Sequence, residues 1–156
     1  MQAPEQVKVS SLADYLNVMT KAGFQTGLSW KVIDAKWPGF QEAFFDFDPE
    51  RVAALTQADI DRLAEDTRIV RNRRKIEATV DNANALLALD RGPGGFQAWL
   101  RSHAGFEDTV KALRSHFRYL GETGAYYFLY VVGEPVPAHE EWMKSHPPKR
   151  RPPKGR

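Results

Sequence analysis

With 156 residues, 42% of them hydrophobic and 27% charged, the chain is long enough to bury a sizeable core within one domain. It contains no cysteine, which excludes a disulfide framework and a cysteine-ligated metal. It also has no apolar run near the roughly 20 residues that cross a bilayer. Net charge is +2, but Lys144, Lys149, Arg150, Arg151, Lys154 and Arg156 put six positive charges and no acid into the last thirteen residues, leaving −4 on the other 143. A mildly acidic body excludes a global field for nucleic acid and leaves that role to local basic patches.

In chain order, residues 1–9 read as a flexible polar leader without a secretory pattern, so a cytoplasmic protein is expected. Ser10 or Ser11 can cap a helix carrying Leu12, Tyr15, Leu16 and Met19 at helical spacing and ending by Gly23. A second helix is predicted from Gly27 or Leu28 to about Ala35, stopped by Pro38, with a short helical piece over 41–45. Asp48-Pro49-Glu50 is a cap followed by proline at the first helical position. Thr56 and Asp59 have capping-box spacing, with Asp in place of the usual Glu.

Residues 67–75 hold Arg68, Arg71, Arg73, Arg74 and Lys75 without an acid, the one basic cluster inside the body. A long helix through Ile76, Val80, Ala83 and Leu87 follows, then a break over 91–95. Phe96, Trp99 and Leu100 mark a short helix, and Val110, Leu113 and Phe117 another. The apolar run 125–132 has the composition of a strand, but a lone strand would lack a partner, so a buried helix is expected there. Residues 140–143 are assigned a last turn, and 147–156 a basic, proline-rich disordered tail, which leaves 10–146 as the helical body.

Three stretches carry candidate chemistry. Gly23-Phe24-Gln25-Thr26-Gly27-Leu28-Ser29-Trp30 sets an amide, a leucine and an indole within six residues. Those are the parts needed to open a base stack and hold one base outside it, and they also suit a helix corner with Leu28 and Trp30 in the core. Phe117 to Ala125 reads as helix, glycine turn and helix, which can turn backbone N–H groups toward a phosphate or serve as an ordinary connection. Glu140 and Glu141 follow, as a candidate catalytic carboxylate or as a solvated pair. Arg71, Arg73 and Arg74 suit phosphate contacts, or a solvated helix entrance. The four histidines show no metal-ligand spacing.

Gln25-Thr-Gly-Leu-Ser-Trp30 resembles the QAGLSW segment of the DNA-3-methyladenine glycosylase I family. Phe47-Asp-Pro-Glu-Arg-Val-Ala53, Asp59-Ile-Asp-Arg-Leu63, Ile69-Val-Arg-Asn-Arg-Arg-Lys-Ile76, Asn82-Ala83 and the 117–128 stretch resemble further segments of it in the same order, over roughly residues 12–140. The resemblance implies an all-α, helix-hairpin-helix DNA glycosylase-like domain that removes an alkylated, 3-methyladenine-like base from duplex DNA by base flipping. It implies that Gln25 plugs the gap, Leu28 wedges the opposite strand, Trp30 stacks on the extruded base, and Gly121 and Thr123 contact phosphate.

The departures are specific. The family's aromatic-rich N-terminal segment is absent, its base-reading glutamate falls at Ala22, and its zinc site uses two Cys and two His, of which only His139 lies near a ligand position. No cofactor, no metal and a monomer are expected. A non-catalytic module for damaged or distorted DNA is the alternative, and a helical interaction protein without a DNA role a third possibility.

Overall fold

The computed structural model describes residues 3–147. Nine α-helices run through them: α1 Leu12–Gln25, α2 Trp30–Ala43, α3 Pro49–Ala53, α4 Gln57–Leu63, α5 Arg73–Asp90, α6 Gly95–Leu100, α7 Phe106–His116, α8 Glu122–Val131 and α9 His139–Ser145. A single 3-10 turn, Phe45–Phe47, joins α2 to α3, and no strand occurs among the described residues. The apolar 125–132 run thus lies in a helix, as expected, and Ala125, Phe128, Leu129 and Val131 are buried.

Local capping signals hold. The Asp48 carboxylate accepts from the Glu50 N–H ahead of Pro49, and Thr56 and Asp59 form a reciprocal capping box. Ser11 and Asp14 form another at the start of α1. Three boundaries differ from expectation. α1 continues two residues past Gly23, and α2 neither begins at Leu28 nor stops at Pro38 but carries that proline internally to Ala43. A helical proline costs about 3 kcal/mol through the lost N–H bond and a steric clash. Here Pro38 and Asp34 both lie on the exposed face, so water can satisfy the orphaned Asp34 carbonyl. Beyond the proline, Phe40, Phe44 and Phe47 are fully buried and extend an aromatic stack from Trp37 at centroid spacings of 4.8 to 6.4 Å. Burying three phenylalanines, at about 1.5–3 kcal/mol each, outweighs the proline.

α5 is the structural axis: α1, α3, α4 and α6 all pack on it, and α8 packs on α1 from the other side. The stretch expected as a loose leader is hydrogen-bonded to the end of α8, where Val7 N–H donates to the Val131 carbonyl at 2.8 Å and the Gln6 amide to Tyr130 at 2.9 Å. The expected tail from residue 148 onward lies outside the described residues.

Candidate nucleic-acid interface and base site

The corner between α1 and α2 is built by a glycine and a buried ammonium. Gly27 takes φ +77°, a conformation that favours glycine, and turns the chain so that Leu28 N–H returns to the Gln25 carbonyl at 3.1 Å. Lys75, in the first turn of α5, is only 6% exposed. Its Nζ donates to the Phe24 carbonyl at 3.2 Å and the Thr26 carbonyl at 2.7 Å. These are carbonyls at the end of α1, which helical bonding leaves open and where the helix dipole favours a cation. Burial pushes the Lys75 pKa below its ordinary value. Lys75 therefore ties the corner to α5 and is not a surface charge.

That correction changes the basic cluster. Arg68 is held by Asp66 and Glu42, and Arg73 by Asp61 at 2.7 Å. Arg71 and Arg74 are exposed and make no ion pair among the described residues. Both line an open groove whose other wall is Thr26, Gly27 and Leu28. The structure thus brings the expected leucine and the expected arginines together, with two cations free instead of five.

Trp30 opens α2, and its indole is 42% exposed, so the core alternative for this residue does not hold. It stands T-shaped on Tyr127 of α8, centroids 5.2 Å apart at 87°. Leu28 is partly buried against the core, and Ala22 is buried in α1, offering no polar group. Gln25 was expected as a plug at the surface. It is 7% exposed, and its amide Nε2 is enclosed without a hydrogen bond of good geometry. In this state it presents nothing to a duplex. Burial raises the Tyr127 pKa, the Gln25 amide beside the hydroxyl opposes that, and Asp34 adds a smaller rise. Tyr127 was missed in the sequence because it sits inside an apolar run that reads as core throughout.

The glycine turn is shaped by α5 as well. Asn82 Nδ2 donates to the Arg118 carbonyl at 3.0 Å, and Arg118 N–H donates back to Asn82 Oδ1 at 2.8 Å. Tyr119, not a glycine, takes the left-handed conformation at φ +58°, while Gly121 is extended. Gly121 and Thr123 are exposed at the start of α8.

Glu140 and Glu141 are exposed on α9. That helix is fixed by Trp142, stacked on Tyr126 at 4.4 Å and on His146 at 3.6 Å, and edge-on to Phe106. Tyr126 lies about 100° round α8 from Tyr127. Among the described residues neither glutamate bonds to Trp30 or Tyr127. A zinc site like the one the resemblance implies does not fit either. There is no cysteine, and no group of three His, Asp or Glu side chains among the described residues could hold a metal.

An all-helical body with a half-exposed indole against a half-buried phenol, near an arginine-lined groove, is compatible with a helical fold of the DNA-glycosylase type. Residues 8–125 match the family model described as methyladenine glycosylase, and the chain belongs to that family. It is 32% identical to the DNA-3-methyladenine glycosylase of Haemophilus influenzae and 30% identical to DNA-3-methyladenine glycosylase 1 of Escherichia coli, with 71% of each chain covered in both cases. A solved structure of 3-methyladenine DNA glycosylase I from Staphylococcus aureus superposes with a TM-score of 0.72 at 28% identity, over 83% of this chain and 80% of that one. A complex of 3-methyladenine DNA glycosylase I with 3-methyladenine matches with the same score and identity, over 83% and 81%.

Proposed function

We propose that the chain is a DNA N-glycosylase that turns an alkylated base out of a duplex, stacks it on Trp30 and hydrolyses its bond to the sugar. The observation that carries this is the exposed indole at the start of α2, standing next to the groove between Leu28 and Arg71–Arg74. Leu28 is the wedge, Arg71 and Arg74 contact phosphates without reading sequence, and Gly121 and Thr123 present the start of α8 to a further phosphate. An N-alkylated purine is cationic. When the C1′–N bond breaks, its electron pair neutralises the base, and water supplies the oxygen that C1′ gains while its proton passes to solvent. The leaving group needs no protonation, so stacking on the indole is proposed to suffice without a carboxylate at Trp30. The substrate is duplex DNA containing a damaged base, and one copy of the chain holds every group named.

The exposure of Glu140 and Glu141 on α9, without a bond to Trp30 or Tyr127 among the described residues, favours a second reading, a non-catalytic module for damaged duplex. Release of methylated bases from alkylated duplex DNA, measured for the native protein and Trp30→Ala, separates the two. Base stacking on an aromatic is worth about 1–3 kcal/mol, so the variant is expected to lose about tenfold or more of the release rate. Absent release with damaged-duplex binding intact would establish the second reading.

A further inference from the structure

We propose that Tyr127 is a positioning residue of the base site: its ring, T-shaped on Trp30, holds the exposed indole in one orientation relative to the start of α8. The inference rests on Trp30 as the stacking platform and concerns what keeps that platform still.

An exposed side chain changes rotamer in picoseconds to nanoseconds. A ring that must meet an extruded base gains from being held, because each alternative rotamer lowers the population ready to stack. Two other tryptophans show the contrast. Trp37 is buried, stacks on Phe40 and Phe47, and donates its indole N–H to Asn17 Oδ1 at 3.1 Å. Trp142 is buried between Tyr126 and His146. The Trp30 indole is exposed and makes no hydrogen bond among the described residues, and Tyr127 is the one ring against it there. Trp30 is also the first residue of α2, so no preceding helical turn restricts its χ1. The orientation of the platform therefore falls to the 5.2 Å, 87° contact with Tyr127. That ring stands on firm ground: it is half-buried, and its neighbours on α8, Tyr126 and Phe128, are buried. It follows Thr123 by one helical turn, so the two share a face of α8, about 6 Å apart along the axis. Tyr127 thus links the platform to the helix that carries the proposed phosphate contact. A leucine fills part of the same space but lacks the ring quadrupole that favours the T-shaped angle, and a phenylalanine keeps it.

Nitrogen-15 relaxation of the indole N–H groups, assigned with Trp30→Phe, tests this without DNA. In the native protein the Trp30 indole is expected to be as ordered as that of Trp37, near about 0.85 on the order-parameter scale, and to fall below about 0.6 in Tyr127→Leu. Tyr127→Phe should keep the native order. A T-shaped ring pair biases a side chain by roughly two- to tenfold. Tyr127→Leu should lose that factor in affinity for free 3-methyladenine and in single-turnover release from methylated duplex, with duplex affinity within about twofold of native. A mobile Trp30 indole in the native protein would overturn the inference, and that measurement stands even if Tyr127→Leu does not fold. Order untouched by Tyr127→Leu, or a loss of duplex affinity equal to the loss of release, would overturn it as well, even if methylated bases are released. Order that falls in Tyr127→Leu and is kept in Tyr127→Phe, in a protein that releases nothing from DNA, would support it while the glycosylase reading fails.

Discussion

Replacing Asn82 with leucine tests how the glycine turn is held. The side chain is buried in α5 and exchanges two hydrogen bonds with the backbone of Arg118, at 3.0 and 2.8 Å. Leucine keeps the branched shape at slightly larger size, so no cavity cost enters. What changes is that a backbone N–H and a carbonyl lose their partner in a part-buried place. Leaving such groups unsatisfied costs about 1–3 kcal/mol each, and some solvent access puts the pair at about 2–4 kcal/mol in total. For a chain of this length 1 kcal/mol moves Tm by about 2–4 °C, so a drop of about 5–15 °C is expected by circular dichroism. Asp81→Asn is the control, because it removes the exposed ion pair to Arg118 in the same segment. An exposed pair is worth less than about 1 kcal/mol, and Tm should move by less than about 4 °C. Duplex binding should weaken in Asn82→Leu, with a salt dependence shallower by about one phosphate contact, since the start of α8 is no longer set. A Tm within 2 °C of native together with an unchanged salt slope would refute the clamp.

Two further outcomes follow from the geometry. Lys75→Met removes the ammonium from the Phe24 and Thr26 carbonyls and is expected to destabilise the fold by about 1–3 kcal/mol at pH 7 in urea unfolding. Because burial lowers the folded pKa of Lys75, the unfolded chain binds more protons between that value and the ordinary lysine value. Native stability relative to the variant should therefore rise as pH climbs toward about 10.5 and fall as pH drops, and a gap that narrows with rising pH would contradict it. The double variant Glu140→Gln, Glu141→Gln should release methylated bases within about threefold of native. A loss beyond a hundredfold would return a catalytic carboxylate to α9.

Much of the fold was legible because its signals are local. Asp48-Pro49 and the Thr56–Asp59 box act through bonds within one turn, so spacing alone announces them. The 125–132 run was placed correctly by elimination, since a strand without a partner is untenable. Pro38 misled because the local rule is right about the cost and silent about the aromatic stack beyond it. Gln25 and Lys75 misled for a shared reason. Both are polar residues in stretches that read as surface, and both are buried by contacts 49 to 102 residues away, to Thr26 and to Tyr127. No periodicity encodes such a pairing. Trp30 illustrates the converse: the local pattern left it open between core and platform, and its 42% exposure removes the core reading.

These pairings give α5 a role that its own sequence conceals. Its first turn supplies Lys75 to the corner that carries Leu28 and Trp30, and two turns later Asn82 grips the segment that leads into α8. Arg74, one residue before Lys75, faces the groove, and Arg118, whose backbone Asn82 holds, directs its side chain to Asp81 on the same helix. Leu28, the groove cations and the glycine turn are thus referenced to one 18-residue rod, which suits the proposed wedge. A protein that must separate two bases needs its wedge and its phosphate contacts fixed relative to each other, since any give between them would let the duplex close. Placing both anchors on α5, through a buried ammonium and a buried amide and not through flexible surface pairs, meets that requirement. Of the basic cluster Lys75 alone is buried in that frame; Arg68 and Arg73 are taken up by exposed ion pairs, and Arg71 and Arg74 make none among the described residues.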